Sequence, residues 1–297
     1  MSFLHRFRSR QYGSVFTPYL FILPNFVIFL CFIVIPALFG FYYAFTEWDG
    51  LNEIKWVGLD NFREILANEE FWACLGRTVL YSVITVPLLF AVSLFLAGLL
   101  IREIRMKGLF RAIFYWPTMI SFIVVGVTWK WMLGYDFGII NYLLSLAGQE
   151  PVKWLTDGFY ANLAVIVATI WSRAGFFMVM FIAGLQSIPV SYYEASEIDG
   201  ASPVRKFVHI TLPLLKPTSF LVLILSMIDA FKAYAMVFSL TGGGPNKATT
   251  YLVQSIYEYA FMKNQMGYAS ALSVVLFAIL CTLTFIQFRI NKGGEVT

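Results

Sequence analysis

Three charged side chains stand inside long apolar stretches of this sequence, where they could do chemistry. Arg173 interrupts one stretch, and Asp229 and Lys232 interrupt another. If these stretches cross a membrane, each charge costs about 2.5–3.5 kcal/mol at the bilayer centre, so each is a functional candidate. Asp229 and Lys232 are spaced i, i+3, which permits a local ion pair on a helix.

Two interpretations of these charges stay open. In the first, Ser226 and Asp229 share a helical face flanked by Tyr234, and together with Arg173 they line a polar cavity that binds hydroxyl groups. In the second, an Arg173–Asp229 bridge, or a pair between Asp229 and Lys232, only locks two helices together.

Other chemistry finds little support in the sequence. The three cysteines are an odd number without metal-type spacing, and the two histidines lie far apart. These patterns predict neither a disulfide framework nor a metal site. The phosphate-binding pattern G-x-x-x-x-G-K-[ST] does not occur, and the glycine-rich run 242–247 lacks its spacing. We therefore interpret that run as a turn outside the membrane.

The elements that position the three charges must lie in lipid. Of 297 residues, 59% are hydrophobic and only 13% are charged. A soluble domain carries about 25% charged residues, so a soluble fold of this composition would expose large apolar patches. Intrinsic disorder is excluded as well, because it requires low hydrophobicity.

Six apolar runs are long enough to span a bilayer as helices. Because they are continuous and do not alternate in polarity, a transmembrane β-barrel is excluded. The prediction is an all-α, polytopic membrane protein with a transmembrane domain over 18–290 and tails at 1–17 and 291–297. The predicted spans cover about 18–46, 78–101, 112–133, 160–185, 218–240 and 264–288.

The distribution of basic residues predicts the orientation of the spans. The termini and the loops near 102–111 and 205–216 carry twelve Lys and Arg residues, whereas the loops near 47–77, 134–159 and 241–263 carry six. Loops rich in Lys and Arg stay in the cytoplasm. Both termini are therefore predicted to be cytoplasmic.

The predicted cytoplasmic loop 186–217 is built like two short helices. Ser191 and Glu194 fit a capping box, with Ser191 as the N-cap. Gly200 is suited to end the first helix, and Ser202-Pro203 to begin the second. Leu212-Pro213 is expected to end the second helix before the fifth span. From these patterns alone the loop is either an amphipathic segment on the membrane surface or a docking element for a partner.

The same loop resembles the EAA loop of ABC importer permeases. Glu194-Ala195-Ser196, Gly200-Ala201 and Ile210-Thr-Leu-Pro213 reproduce its spacing, with Ser196 in place of the third small residue, alanine. Further segments resemble the maltose-type sugar importer permeases over roughly residues 15–290. These are Trp56–Phe62, Arg111–Pro117, Gly184–Pro189, Thr241–Pro245 and Gly267–Ala271.

The resemblance implies a type I ABC importer permease fold and a subunit that is not itself an enzyme. It looks like the first of two paired permeases in the cell membrane of a bacterium. The implied partners are a second homologous permease, a dimer of ATP-binding subunits and an extracellular or periplasmic sugar-binding protein, within the lipid bilayer and without nucleic acid. No cofactor is expected on this chain, because ATP and Mg²⁺ would bind the ATPase subunits.

The resemblance also implies roles for individual residues. The EAA loop would form the coupling helix that sits in a groove of the ATPase, involving Glu194, Ala195, Ser196, Asp199, Gly200, Ala201, Ile210 and Pro213. Maltose-type permeases place their sugar site on the spans that carry the intramembrane charges. The implied substrate path includes Trp171, Arg173, Phe176, Ser226, Asp229, Lys232 and Tyr234, with the aromatic rings stacking on sugar rings.

Two other functions compete with this one. A secondary transporter driven by protons or sodium would fit Arg173 and Asp229, but it would leave the cytoplasmic loop unexplained. A membrane enzyme has no support, since no nucleophile–base arrangement, metal cluster or pair of carboxylates facing a membrane cavity is evident in the sequence.

Overall fold

The computed structural model describes residues 17–101 and 105–290. It is mostly helical, as predicted, with one short antiparallel hairpin in addition. The helices and strands of the described residues are, in chain order, α1 (Thr17–Phe29), α2 (Ile35–Tyr43), β1 (Thr46–Glu47), β2 (Lys55–Trp56), α3 (Asp60–Ala67), α4 (Glu69–Leu100), α5 (Lys107–Tyr115), α6 (Phe122–Met132), α7 (Ile139–Leu146), α8 (Gly158–Gln186), α9 (Val190–Ile198), α10 (Pro203–Lys206), α11 (Leu212–Leu214), α12 (Lys216–Phe231), α13 (Ala235–Thr241), α14 (Leu252–Tyr257) and α15 (Met266–Ile290).

Four helices of the described residues are long and apolar enough to cross a membrane without a sharp bend. They are Tyr19–Tyr43, α4, α8 and α15, and they correspond to the first, second, fourth and sixth predicted spans. The first passes through a π-helical turn, Leu30–Val34, directly before α2. Pro36 follows this turn. Proline has no backbone N–H to donate, and it is tolerated here because the regular hydrogen-bond ladder is already interrupted.

The third predicted span, 112–133, is not one straight helix. Lys107–Met119 and Phe122–Met132 form a pair bent by 97°. The bend follows a 3₁₀ turn, Trp116–Met119, with Pro117 at its start. Ile120 is extended, because neither the proline nor the 3₁₀ turn continues the α-helical ladder.

The fifth predicted span, 218–240, is also interrupted. Pro203–Leu214 and Lys216–Phe231 form a second pair, bent by 69°, and the chain then leaves helical geometry again between α12 and α13. Tyr234, at this second break, has φ −147° and ψ −68°. Together, the four unbroken helices and the two bent pairs give between four and six membrane crossings in the described part of the chain.

The chain divides into two compact units. Of the described residues, the first unit comprises 17–63 and 259–274, and the second comprises 64–101, 105–258 and 275–290. In the first unit, Asn61 fixes the hairpin, since its Nδ2 donates to the carbonyls of Ala44 (3.0 Å) and Thr46 (2.9 Å). Gly267 packs so close to the Thr46 carbonyl that a Cβ would lie 1.9 Å from its oxygen. Only glycine permits this approach.

The second unit contains two apolar clusters. One gathers residues such as Tyr81, Val165, Leu240 and Tyr251, and the other gathers residues such as Leu89, Phe177, Phe181 and Leu215. α4 and α8 contribute to both clusters. Side-chain caps define where these two helices begin: Asn68 accepts from the Glu70 N–H, and Asp157 accepts from the N–H groups of Phe159 and Tyr160.

Candidate functional site

The loop 186–217 folds into a short helix, a tight turn and a second helical stretch. α9 ends in a Schellman motif: the Gly200 N–H donates to the Glu197 carbonyl at 3.0 Å, and the Ala201 N–H donates to the Ser196 carbonyl at 2.9 Å. Gly200 has φ +68°, a left-handed conformation that is costly for other residues. The predicted helix-ending role of Gly200 is therefore confirmed.

The capping box predicted at the start of α9 is wrong. The helix begins at Val190, its N-cap is Pro189, and no side chain caps it. Ser191 lies inside the first turn, because the Ile188-Pro189 pair already forces extended backbone and places proline just before the helix. Glu194 is consequently exposed and makes no hydrogen bond or ion pair with the described residues.

The second helical stretch begins as predicted and runs slightly further. The Ser202 hydroxyl accepts from the Arg205 N–H, and Pro203 occupies the first turn of α10. A π-helical turn, Phe207–Thr211, and α11 continue the path to Leu214. Leu212-Pro213 thus does not end the helix, because proline is tolerated in the first turn of a new segment after a π turn. The bend falls at Leu215.

Two side-chain contacts hold α9 against the second stretch. The Lys206 ammonium contacts the Glu197 carboxylate at 2.8 Å, and the Tyr193 and Thr211 hydroxyls are 3.0 Å apart. Lys206 lowers the pKa of the Glu197 carboxyl below its ordinary value through a hydrogen bond and its charge. These contacts fix the loop 186–217 as a compact helix–turn–helix element, which we call the helical knob.

The outer surface of this knob mixes charge with apolar side chains. Ile198 is 88% exposed, and Glu194, Ala195 and Asp199 are exposed beside it. Ser196 is buried and donates to the Tyr193 carbonyl, so a small residue is required there. Of the other residues of the motif, Ala201, Ile210 and Pro213 are half-buried and Gly200 is exposed.

A cavity of about 360 Å³ lies in the second unit between α4, α8, α12 and the break that precedes α13. Five of the seven predicted substrate-path residues line it, namely Arg173, Ser226, Asp229, Lys232 and Tyr234. Ser226 and Asp229, which were predicted to share a helical face, both lie on α12 and line this cavity.

Arg173 and Asp229 form an ion pair across α8 and α12. The Arg173 guanidinium also lies near three phenylalanine rings, with its Cζ 5.5 Å from the centroid of Phe122, 5.2 Å from Phe176 and 5.8 Å from Phe177. Such contacts stabilise a cation in a place with little water. The Nε donor of Arg173 is buried and has no hydrogen-bond partner among residues 17–101 and 105–290.

Lys232 does not join this pair. Of the two partners considered for Asp229, the structure places Arg173 in contact, whereas Lys232 makes no ion pair within the described ranges. Lys232 is exposed at the end of α12. Tyr234 is the N-cap of α13, with its ring centroid 5.2 Å from that of Tyr257. The break between α12 and α13 thus presents Lys232 and Tyr234 to the cavity.

The remaining two predicted residues lie outside the cavity wall. Phe176 is in contact with Arg173 but does not line the cavity. Trp171 is 44% exposed, and its ring meets Trp129 at a centroid distance of 6.0 Å. Neither ring therefore borders the space in which a ligand would fit.

Several lining residues escaped the sequence analysis. Tyr81, Thr85 and Thr169 belong to the wall, and the hydroxyls of Tyr81 and Thr169 are 2.8 Å apart. Tyr81 also stacks on Tyr251, with ring centroids 4.6 Å apart. The i, i+4 spacing of Tyr81 and Thr85 on one face of the second span was the available signal. Taken alone, uncharged residues in an apolar run do not stand out.

The glycine-rich run forms a fixed turn outside the regular helices. The Thr250 hydroxyl donates to the Gly243 carbonyl at 3.1 Å, and Gln254 donates to the Gly242 carbonyl at 3.1 Å. Lys247 contacts Glu70, which also contacts Arg77. Within the described ranges, no cluster of three or more His, Cys, Asp or Glu could hold a metal ion.

Comparison with protein families gives a match over residues 75–292 to the family described as "Binding-protein-dependent transport system inner membrane component". The chain is 35% identical to the trehalose/maltose transport system permease protein MalF of Thermococcus litoralis, covering 95% of this chain and 96% of that protein. It is 36% identical to the sn-glycerol-3-phosphate transport system permease protein UgpA of Agrobacterium fabrum, covering 95% and 97%.

Among solved structures, the chain is similar to a subunit of a bacterial ABC transporter involved in the import of the acidic polysaccharide alginate. The TM-score is 0.81 over 93% of this chain and 94% of that one, at 24% identity. A second structure of an alginate transporter, in complex with an alginate pentasaccharide-bound periplasmic protein, gives a TM-score of 0.80 over 92% of this chain and 93% of that one, at 24% identity. At this identity the likeness supports the fold alone.

Proposed function

We propose that this chain, which belongs to the family of binding-protein-dependent transport system inner membrane components, forms half of the translocation path of an ATP-driven sugar importer. It is a multi-pass cell-membrane protein and a permease subunit, not an enzyme, and ATP hydrolysis takes place on a separate subunit. The solute class is inferred from relatives whose names specify trehalose, maltose and sn-glycerol 3-phosphate.

The observation that carries the proposal is the polar cavity among apolar helices. Its volume of about 360 Å³ falls in the range of small-molecule sites. Arg173 and Asp229 both line the cavity, and the Asp229 side chain is 42% exposed despite its ion pair. Sugar hydroxyls both donate and accept hydrogen bonds, so they complement such a pair of groups.

The ion pair has two functions in this proposal. It neutralises two charges that would be costly in lipid, and it supplies polar atoms to the solute. Ser226 and Tyr234 add further polar groups to the same wall, and Lys232 lies at its edge. Trp171 and Phe176 are the weakest members of the proposed path, because neither lines the cavity.

The coupling role is proposed for the helical knob. Its fixed geometry, held by the Gly200 turn and the Glu197–Lys206 contact, suits a part that transmits force from an ATPase. The apolar and acidic surface around Ile198 and Glu194 suits docking into a groove of that subunit. This arrangement also favours a docking element over a segment that simply lies on the membrane surface.

The topology and assembly belong to the same proposal. We propose six spans with both termini in the cytoplasm and the tails 1–17 and 291–297 on that side; most of these tails lies outside the described residues. The partners would be a second homologous permease, a dimer of ATP-binding subunits that hold ATP and Mg²⁺, and an extracellular or periplasmic sugar-binding protein. No cofactor is assigned to this chain, and no nucleic acid takes part.

A direct test uses Arg173→Gln and Asp229→Asn in the assembled transporter. We expect each variant to weaken the apparent affinity for the transported solute, screened among radiolabelled trehalose, maltose and sn-glycerol 3-phosphate, while membrane insertion is retained. Leu163→Ala, on the same helix α8 but absent from the cavity wall, is a control for general effects on that helix. Unchanged affinity and specificity in both charge variants would show that the cavity is not the solute path.

The energy source of uptake distinguishes the proposed importer from the competing function, an ion-coupled secondary transporter. Uptake that stops on ATP depletion and persists when proton and sodium gradients are collapsed supports the importer. The opposite pattern would support the alternative.

A further inference from the structure

The helix α7 lies in the segment between α6 and α8 and is mostly apolar. Ile139–Leu146 reads IINYLLSL and contains no charged residue. One face packs on the protein: Asn141 is buried, and Ile140 packs on the apolar cluster of the second unit. The opposite face is exposed and also apolar. A helix without a polar face is not expected to point into water.

The exposed face forms a continuous stripe at helical spacing. Ile139, Tyr142, Leu143 and Leu146 occupy positions i, i+3, i+4 and i+7, and each is between 53% and 68% exposed. Phe137, just before the helix, is 99% exposed. Scattered exposed apolar residues are ordinary, but a contiguous stripe of this kind indicates a surface that contacts something apolar.

The segment is rigid enough to present this stripe. Asn141 uses both ends of its amide, donating to the carbonyls of Tyr135 and Val152 and accepting from the Val152 N–H and the Trp154 indole. The Ser145 hydroxyl, the exposed polar side chain of the helix, donates to the Tyr142 carbonyl at 2.7 Å.

The end of α7 is closed in the same way as that of α9. Gly148 has φ +73°, its N–H donates to the Ser145 carbonyl, and the Gln149 N–H donates to the Leu144 carbonyl. The last carbonyls of the helix are therefore paired within the chain, as a lipid environment requires. Charge returns to the sequence directly afterwards, at Glu150 and Lys153.

Continuity with α6 identifies the apolar partner. Ile123, Val127 and Trp131 form an exposed stripe along α6 at i, i+4 and i+8. α6 is the second half of a candidate span, and Trp131 stands near its end, where tryptophan is typical of the membrane–water interface. The chain passes from this stripe to α7 within seven residues. Tyr142 gives α7 an amphipathic ring of the same interfacial type.

We propose that α7 is an interfacial helix that lies in the plane of the membrane, with the stripe Ile139, Tyr142, Leu143 and Leu146 inserted among the lipids where α6 ends. Eight residues extend about 12 Å, so α7 is too short to cross the bilayer and would rest on it. The predicted outer loop between the third and fourth spans is thus part of the membrane-contacting surface. The helix would fix the distance of α6 and α8 from the lipid headgroups.

The test measures the surroundings of α7 with nitroxide labels in the full-length chain, co-purified with its partner subunits and reconstituted in phosphatidylcholine–phosphatidylglycerol nanodiscs. Labels are attached at Leu143→Cys and Leu146→Cys after Cys31→Ser and Cys281→Ser remove the exposed thiols. Cys74 is buried and stays. Ile123→Cys is the reference for lipid and Gln149→Cys the reference for water. Collision with oxygen reports lipid, and collision with nickel ethylenediaminediacetate reports water.

We expect the labels at Leu143 and Leu146 to collide severalfold more with oxygen than with the nickel complex, as at Ile123, and Gln149 to show the reverse. A nickel-dominated signal at Leu143 and Leu146 would place α7 in water and overturn the proposal. Low collision with both reagents would mean that a protein partner covers the stripe, and it would overturn the proposal as well. Failure of the solute-path test above has no effect on this result, because the labels report only their surroundings.

Discussion

The turn at Gly200 offers a sharp test of the coupling proposal, because its requirement for glycine is conformational. An added Cβ at Gly200 would meet no atom within 4 Å, so a substitution fills open space. The φ of +68°, however, costs an ordinary L-residue about 1–2 kcal/mol. We therefore predict that Gly200→Ala lowers the equilibrium constant for forming the coupling-competent turn by about five- to thirtyfold.

Two further substitutions at Gly200 provide a milder and a more severe comparison with Gly200→Ala. Asn adopts the left-handed region more readily than other non-glycine residues, so Gly200→Asn should retain most activity. Gly200→Pro removes the N–H that donates to the Glu197 carbonyl and fixes φ near −65°, so the Ala201–Ser196 bond is lost too. At about 1 kcal/mol per hydrogen bond, proline is predicted to be the most damaging of the three.

The assay is solute-stimulated ATP hydrolysis and uptake in proteoliposomes, with membrane insertion measured in parallel. Uptake should fall in the order Gly, Asn, Ala, Pro, while insertion stays constant. The matched control is Gly148→Ala, because Gly148 has φ +73°, an open Cβ position and the same hydrogen-bond pattern at the end of α7. If Gly200→Ala and Gly200→Pro transport normally, or if Gly148→Ala is equally impaired, the turn has no specific role in coupling.

Three other predictions concern single contacts. Glu194→Lys should abolish the dependence of ATP hydrolysis on solute in proteoliposomes while insertion persists, because it reverses the charge of an exposed side chain on the knob; normal uptake would contradict its role. The lowered pKa of Glu197 means that its contact with Lys206 stabilises the loop above the ordinary carboxyl pKa and is lost as the pH falls through the lowered value. The protection factors of the amides of 190–206, which correct for the intrinsic pH dependence of exchange, should therefore fall at acidic pH, and Lys206→Met should remove this fall; protection factors that do not change with pH would refute the contact. Gly175→Ala should cost about 1–3 kcal/mol, seen as a lower unfolding temperature in detergent, because its Cβ would lie 2.0 Å from the Phe114 carbonyl oxygen; equal melting temperatures would show that α5 can shift away.

The turn residues of the loop were predictable because their chemistry is local. Gly200 and Ser202-Pro203 each act through backbone conformation within a few residues, and the structure places them as expected. The position of Ser191 was not predictable, because the capping-box pattern and the Ile188-Pro189 pair indicated different starts for α9. The rigid Ile188-Pro189 pair fixed the start two residues earlier than the Ser191–Glu194 pattern indicated.

The cavity shows where sequence reasoning reaches its limit. A charge in an apolar run stands out by its energetic cost, so Arg173 and Asp229 could be found from sequence alone. Their mutual contact depends on the approach of α8 to α12, which no local pattern specifies. Tyr81 and Thr169 carry no charge, lie on different helices and are 88 residues apart in the sequence. Their hydroxyls therefore meet only in the folded chain.

The breaks within the third and fifth predicted spans reveal a related limit. A hydropathy profile reports the length of an apolar run, but it does not detect a bend in the helix. The residues on both sides of such a bend are equally apolar. The bend at 120–121 follows the local Pro117 signal, which a search for helix breakers can recognise. The break around Lys232–Tyr234 contains neither glycine nor proline, and so tertiary packing must set it.

One continuous segment joins the knob to the cavity, and this connection gives the proposed coupling a physical form. α9 is fixed to the second helical stretch by Tyr193–Thr211 and Glu197–Lys206. That stretch leads through the bend at Leu215 into α12, whose sixteen residues end beside the break at Lys232. Asp229 lies in the last turn of α12 and contacts Arg173 on α8. Under the proposed function, a rotation of the knob by an ATPase therefore acts along a rigid helix of about 24 Å on the ion pair at the cavity wall. Substitutions that loosen the Gly200 turn should then weaken coupling without changing the affinity of the cavity, whereas Asp229→Asn should do the reverse.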